Sequence, residues 1–308
     1  MSGEWVAGNA RARSLLNRRV GTAGAREIAA CPDLAEALAR LAATPYGRAI
    51  RPDQTLEGAQ FALRATLLWH IRVLVGWQPR EGARLVRLLA GWFEVANVCE
   101  HARVLAGHPA GDTYRMGTLA VVWPRLAATR SPAELRAELT ASPWGDPGGD
   151  APHAVALGME LSWAARLCAA TTEEISAWAA GAVALLVARE RFLAGRRITE
   201  PLLPRLAALL GAAAADASSV PDLRHRLTAH AAWSLSECDS PDRLWAAEIR
   251  WWARVERDGF ELLRRTGFAA APVVGVVGLL AADCWRACAA LELAARGGGS
   301  LEVLDAVA

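Results

Sequence analysis

Residues 135–141 read LRAELTA and residues 223–229 read LRHRLTA, so five of seven positions recur 88 residues later. Each copy follows a proline and is itself followed by a tryptophan. A third, earlier copy begins near Pro32 and ends in residues 44–47, TPYG, which parallel the SPWG of residues 142–145. Self-similarity at a fixed period is the sequence signature of a repeat architecture. These markers therefore predict a chain built from related units.

A second marker repeats in the same order. Residues 103–107 (RVLAG) resemble residues 191–195 (RFLAG), again 88 residues on, and residues 293–297 (LAARG) end comparably. Each stretch is typical of a long helix that ends at a glycine C-cap.

The two markers together position the repeats. They predict one domain over residues 1–308 that consists of three tandem helical repeats. The predicted repeats cover about 28–116, 117–213 and 214–308, with the equivalent leucines Leu41, Leu139 and Leu227.

Helix signals also dominate the rest of the chain. Residues 131–134 (SPAE) form a capping box, and residues 171–174 (TTEE) predict a helix that reaches about Leu193. Ser240 and Pro241 predict another helix start. Alternating apolar and polar runs bounded by tight turns, which would indicate strands, are not found. The sequence therefore predicts an all-α fold.

Composition limits the classes of partner. The 34 basic and 32 acidic residues leave a formal charge of +2, so no global basic field favours nucleic acid or anionic lipid. The most apolar stretch, residues 269–282, is shorter than the roughly 20 residues of a membrane span and is expected to form a buried helix. The first residues, MSGEW, lack the basic start and long apolar run of a signal peptide. A cytoplasmic protein, at most peripheral to a membrane, is expected.

No conventional catalytic or metal-binding pattern is found in the sequence. All 34 basic residues are arginine, which excludes the lysine of a standard phosphate-binding loop. His225 and His230 are five residues apart, which separates them on a helix, and no Cys-x-x-Cys occurs. Cys284 and Cys288 are expected to be small buried residues, with a metal or redox pair as the alternative. The sequence therefore predicts no catalytic, metal or cofactor-binding residues.

Arginine pairs recur near predicted helix ends, where they complement the helix dipole. Arginine also makes bidentate pairs with carboxylates, so such a pair can instead form a docking rim for an acidic partner. The possible partner-docking residues are Arg196, Arg197, Arg264 and Arg265.

One stretch resembles a known family. Residues 92–98 (WFEVANV), followed by Arg103, resemble the aromatic, acidic and asparagine signature of the C-subunit family of V-type (A-type) ATPases, whose eukaryotic counterpart is the d-subunit of the membrane sector. Residues 38–46 and 273–286 resemble further stretches of that family, although Glu94 stands where aspartate is usual. The signature residues of the resemblance, expected to be structural, are Trp92, Glu94, Asn97, Asp283 and Arg286. Glu94 and Asn97 lie three apart on one helical face and are expected to be a buried pair whose hydrogen bonds hold the repeats together.

The resemblance implies a pseudo-threefold, funnel-like protein without catalytic activity. Such a protein seats the central stalk on the membrane rotor ring and transmits torque for proton or sodium transport coupled to ATP hydrolysis or synthesis. The implied partners are the stalk and rotor-ring proteins of the ATPase, with membrane contact only through the ring, on the cytoplasmic face of the cell membrane. Two other classes stay open: a stand-alone α-helical repeat scaffold for a different protein, and an all-α enzyme with a tryptophan-lined pocket.

Overall fold

The computed structural model of the protein describes residues 3–265 and 269–299, and no β-strand occurs within these ranges. The all-α prediction is therefore confirmed for the described chain. A π-helical turn continues α9, and short 3-10 turns connect several helices. The α-helices are α1 (Glu4–Ser14), α2 (Gly21–Ala29), α3 (Leu34–Ala42), α4 (Leu56–Val75), α5 (Arg80–Leu105), α6 (Trp123–Leu126), α7 (Pro132–Thr140), α8 (Pro152–Ala170), α9 (Glu173–Ala188), α10 (Leu203–Leu210), α11 (Val220–Arg226), α12 (Ala229–Ala232), α13 (Leu244–Arg264) and α14 (Ala270–Ala295).

The helices form two compact units. The first unit contains Met1–Arg87 together with Trp252–Ala308, and the second contains Leu88–Trp251. The boundaries fall inside α5 and α13, so each of these helices contributes to both units. The first unit thus combines two segments that are distant in sequence.

The short helices α3, α7 and α11 begin in the same way. Their N-caps are Asp33, Ser131 and Ser219, and each side chain accepts a hydrogen bond from the backbone N–H three residues on, at 2.8, 3.2 and 3.2 Å respectively. A side-chain oxygen at this position satisfies one of the N–H groups that a helix start leaves unpaired. The N-cap predicted at Ser131 is confirmed, although the Glu134 carboxylate accepts from the N–H of Arg130 (2.8 Å) and not from that of Ser131 as in a full capping box. The other two repeat markers use the same kind of N-cap.

Each long helix that the second marker predicted ends at a glycine with positive φ. The angles are 90° at Gly107, 65° at Gly195 and 98° at Gly297, where the absence of a Cβ removes the steric cost. After α5 and α14 a backbone N–H donates to the carbonyl five residues back, as in a Schellman motif. After α9 the matching bond spans six residues, because the π-helical turn Arg189–Leu193 adds one residue. The predicted glycine caps are confirmed.

The helix α14 is the core helix of the first unit, where it packs against α1, α2, α3 and α4. Over its most apolar window the mean hydropathy is 1.6 and 83% of the residues are buried. By length and composition it is the one helix of the described chain that could cross a bilayer. The expectation of a shorter apolar stretch was wrong, because small and apolar residues continue past Asp283 to Ala295. The expected burial is confirmed.

Two glycines bring α13 and α14 close together. A Cβ added at Gly275 would lie 2.6 Å from the carbonyl oxygen of Gly259, and one added at Gly259 would lie 3.1 Å from the carbonyl oxygen of Gly275. These obstacles are backbone atoms, which cannot turn away as a side chain can. The two helices must therefore move apart to accept any side chain at Gly275.

We expect Gly275→Ala to lower the free energy of unfolding by about 1–3 kcal/mol, because overpacking outweighs the better helix propensity of alanine. Urea denaturation followed by circular dichroism measures it. The matched control is Gly76→Ala, where the new Cβ would lie 3.6 Å from the nearest oxygen, and we expect a change within about 0.5 kcal/mol. Equal effects of the two substitutions would contradict the close approach.

The second unit has a core around the side chain of Trp144. Helices α8 and α9 pack against each other. Apolar side chains from α5, α6, α7 and α8 form one cluster. Trp144 is 1% exposed within this cluster. Its other buried members are Val95, Val98, Ala102, Leu126, Leu135, Leu139, Val155 and Met159.

Candidate functional site

Glu94 of the predicted signature is fully buried on α5. Its carboxylate accepts hydrogen bonds from the backbone N–H groups of Val121 (2.5 Å) and Val122 (2.8 Å) and from the indole N–H of Trp144 (3.2 Å). Hydrogen bonds to an ionised acceptor are about twice as strong as those between neutral groups. The carboxylate therefore ties α5 to the loop before α6 and to the turn after α7.

Asn97, one helical turn after Glu94, holds a second loop. Its side-chain amide donates to the carbonyl of Tyr114 (2.9 Å), and its side-chain oxygen accepts from the N–H of Tyr114 (2.6 Å). Asn97 is 1% exposed, so the expected burial of both residues is correct. The two side chains hold different loops: Glu94 bonds to the loop before α6 and Asn97 to the loop at Tyr114. Trp92 is half-buried and contacts Phe93 edge-to-face, at 5.1 Å between ring centroids.

Asp283 of α14 makes the same kind of site in the first unit. Its carboxylate accepts from the backbone N–H groups of Val20 (2.9 Å) and Gly21 (2.7 Å) and from the hydroxyl of Tyr46 (3.2 Å). Burial raises the pKa of Asp283, while the two backbone donors, the Tyr46 hydroxyl and the nearby charge of Arg19 favour its ionised form.

We call each arrangement a carboxylate clamp: one helix carboxylate, two backbone N–H groups at the start of another helix or just before it, and one aromatic donor. The aromatic donors come from the repeated tetrapeptides TPYG and SPWG. In both, the first hydroxyl donates to a leucine carbonyl, of Leu41 and Leu139 respectively, at 2.7 Å. The same hydroxyl accepts from the N–H of the aromatic residue, at 3.3 and 3.1 Å. Leu41 and Leu139 are both fully buried, so two copies of the repeat share detailed geometry.

The third copy departs from this geometry. Helix α11 ends at Arg226, so Leu227 lies in extended backbone and is only half-buried. The indole N–H of Trp233 donates to the carbonyl of His230, at 2.8 Å. The prediction that Leu227 is equivalent to Leu41 and Leu139 was wrong. A physical reason is that Ala182 stands 88 residues after Glu94, and α9 has no carboxylate after Glu174.

Arg286 lies three residues after Asp283, as Asn97 lies three after Glu94. Its guanidinium is 3% exposed and pairs with the carboxylate of Glu256 on α13. Arg19 lies 3.9 Å from the same carboxylate. Removing one partner of a buried ion pair leaves the other unpaired, which is strongly destabilising. Arg286 therefore links α14 to α13, whereas Asn97 holds a loop.

The arginine pairs named as possible docking residues lie at the surface. Arg196 makes a bidentate pair with Glu190, with both nitrogen–oxygen distances at 2.6 Å. Arg197, Arg264 and Arg265 are exposed. Their role in docking stays a prediction, and part of the Arg196 charge is already matched within the chain.

Glu160 of α8 is an ionisable group that sequence reasoning missed. Desolvation, with a smaller contribution from the like charge of Glu190, raises its pKa to about 7, and Arg189 offsets this in part. Its neighbour Cys99 is also desolvated, which raises the pKa of that thiol to about 12. The charge of Arg189 lowers the pKa of Glu160 in part, whereas Arg196 pairs with Glu190.

The described residues include no group of three His, Cys, Asp or Glu side chains that could hold a metal ion. Cys284 and Cys288 are free, buried thiols on α14. This agrees with the expectation that they are small buried residues. The hydrogen bond with the adjacent thiol of Cys288, together with burial, raises the pKa of Cys284. A thiol with a raised pKa is a weak nucleophile and a weak metal ligand.

Comparison with known proteins gives no assignment: no family model matches the chain, and no curated protein matches it significantly.

We expect Glu94→Ala to lower the free energy of unfolding by about 3–5 kcal/mol, because three buried donors lose their acceptor. Glu94→Gln keeps one acceptor oxygen and is expected to cost less. Hydrogen exchange gives a second measurement, since the amides of Val121 and Val122 should lose protection first. The control is Glu261→Ala, at an exposed position of α13, and a comparable loss there would contradict the clamp.

The raised pKa of Glu160 predicts a pH dependence. Because the folded state holds the proton more tightly than the unfolded state, the free energy of unfolding falls as pH rises from about 4.5 to about 7. We expect Glu160→Gln to be more stable than the unsubstituted chain above pH ~7, by at most about 3 kcal/mol, with no gain below pH ~4. Urea denaturation at both pH values tests this. A gain of equal size at both would refute it.

Proposed function

We propose that this protein is a non-catalytic adaptor of a V/A-type rotary ATPase. In this role it seats the central stalk on the membrane rotor ring and passes torque between them. The ring then moves protons or sodium ions as ATP is hydrolysed, and synthesis reverses the order. The chain would work at the cytoplasmic face of the cell membrane and supply no catalytic group of its own.

The observation that carries this proposal is the order in which the two clamps connect the chain. Glu94, in the first predicted repeat, holds the loop that starts the second repeat. Asp283, in the last predicted repeat, holds the loop near Gly21 and the turn at Tyr46, which belong to the start of the chain. A helix that serves the next repeat, with the last helix serving the first, is the connectivity expected of a closed array. This supports the pseudo-threefold, funnel-like arrangement as part of the proposal.

The positions of the clamps also support the family resemblance. The stretch of residues 92–98, which carries the resemblance to the ATPase family, contributes Glu94 and Asn97, and both hold loops. The C-terminal stretch that resembles the same family contributes Asp283 and Arg286 at the same spacing. The two carboxylates, one from each resembling stretch, thus have corresponding local roles, whereas Asn97 and Arg286 do not.

The mechanics of an adaptor suit such clamps. A protein that transmits torque must not deform under it, so its helices must keep their positions relative to the loops that they contact. Helices α5 and α14 have 26 residues each, or about 39 Å at 1.5 Å per residue. A buried carboxylate with three donors resists displacement, because any shift leaves polar groups unpaired in a medium of low dielectric constant. We propose that the clamps keep the adaptor stiff in rotation.

The test is co-expression of the full chain with the central-stalk and rotor-ring proteins encoded in the same genome. We expect it to sediment with membranes only when the ring protein is present, and to co-purify with the stalk. Salt should release it in part, since exposed charge pairs are screened but apolar contacts are not. An alkaline wash should release the rest without detergent.

Two outcomes would refute the proposal. Sedimentation in cells that lack the ring protein would show that another component holds the chain. A requirement for detergent would indicate that α14 enters the bilayer instead of forming a core. Stable complexes with an unrelated protein, and none with the stalk or ring, would favour the stand-alone scaffold.

A further inference from the structure

A groove with three unpaired arginines lies in the first unit, outside both clamps. It encloses about 630 Å³ and is open to solvent. The N-terminal helix α1 forms one side and the start of α5 forms the other. The lining residues are Glu4, Trp5, Pro79, Arg80, Glu81, Arg84 and Arg87.

The position of Trp5 explains why the groove has an apolar wall. A Cβ added at Gly82 would lie 2.8 Å from the Trp5 ring, so the ring lies directly against the backbone of α5. Only glycine leaves room for this contact. Trp5 is partly exposed, so a segment of ring surface remains available to a ligand beside the arginines.

The three arginines form one row. Arg80, Arg84 and Arg87 recur at i, i+4 and i+7, which places them on one face of α5 over about 10 Å. All three are exposed, and none makes an ion pair within the described residues. Like charges at this spacing destabilise a helix slightly. An anionic ligand would relieve that repulsion as well as gain charge-assisted hydrogen bonds.

The row differs from three surface arginines whose charge is matched within the chain. Arg136, Arg196 and Arg226 each make ion pairs with carboxylates of the same chain. The row on α5 has only one carboxylate close in sequence, Glu81, in the first turn of the helix. An acidic group there interacts favourably with the helix dipole. The guanidinium groups further along, at Arg84 and Arg87, are left for an external partner.

We propose that this groove binds an acidic segment of a partner protein, whose carboxylates pair with Arg84 and Arg87 and whose apolar side chain covers Trp5. A protein segment fits better than a phosphate ligand. Glu81 lines the same groove and would repel the concentrated charge of a phosphate. A peptide can match both signs, because its carboxylates are spaced along the chain and its amide N–H groups can face Glu81. The inference does not depend on the rotary-ATPase proposal.

The test uses the full chain and a fluorescein-labelled synthetic peptide of Glu-Ala-Leu-Glu repeats, followed by fluorescence anisotropy. We expect the double variant Arg84→Glu with Arg87→Glu to weaken binding at least about ten-fold. The matched control is Arg130→Glu with Arg243→Glu, which changes the net charge equally at exposed positions of the second unit. We expect less than about a two-fold change there. Trp5→Ala should weaken binding without changing its salt dependence.

Each other result would overturn the inference. Equal binding by the two double variants would mean that only net charge attracts the peptide. Equal binding of a peptide with glutamine in place of glutamate would exclude carboxylate recognition. Competition by pyrophosphate at concentrations near that of the protein would indicate a phosphate site. Binding to vesicles with anionic lipid, lost in the Arg84→Glu and Arg87→Glu variant while the peptide does not bind, would indicate a membrane surface. Circular dichroism checks that every variant keeps its helicity.

Discussion

A buried carboxylate that accepts two backbone N–H groups and one aromatic donor is the interaction on which both units depend. Burying a carboxylate costs several kcal/mol unless its oxygens are fully hydrogen-bonded. Glu94 and Asp283 meet this condition with three donors each. The same bonds pair backbone N–H groups at the start of a helix. These groups have no partner within the helix and would otherwise be buried without a hydrogen bond. Each clamp therefore solves two problems of burial at one place.

The third copy illustrates what the clamp does, because it lacks one. Ala182 stands at the position of α9 that corresponds to Glu94, so no carboxylate at that position accepts a hydrogen bond from Trp233. The indole N–H of Trp233 bonds locally instead, and Leu227 leaves the helix. Gly181 brings α9 close to this region, since a Cβ there would lie 2.7 Å from the ring of Trp233 and 3.1 Å from that of Trp251. At this position, packing of the Trp233 and Trp251 rings against Gly181 of α9 thus replaces the hydrogen bond to a carboxylate.

The sequence predicted the helical class, the N-cap at Ser131 and the glycine ends of the long helices, because caps are local signals. It also identified Glu94 and Asp283 separately, but not that they are equivalent. Nothing in a single sequence pairs a carboxylate with N–H groups more than 20 residues away. The one sequence feature that the two sites share is the spacing: a polar residue, Asn97 or Arg286, follows the acidic residue after three positions. The arginine row on α5 was missed because helical spacing of charges is common on solvated faces.

The two clamps impose different demands on folding. The clamp of the second unit joins Glu94 to Trp144, 50 residues apart, so it can close once a short length of chain is made. The clamp of the first unit joins Val20 to Asp283, 263 residues apart, and must wait for nearly the whole chain. The entropy cost of closing a loop grows only slowly with its length, so the long clamp is not much weaker for its span. Contacts of large sequence separation do slow folding, however. The second unit can therefore form first and shorten the effective loop that the first unit must close. The sequence separations of the two clamps thus favour folding of the second unit before the first. This order does not depend on any partner that the folded protein binds.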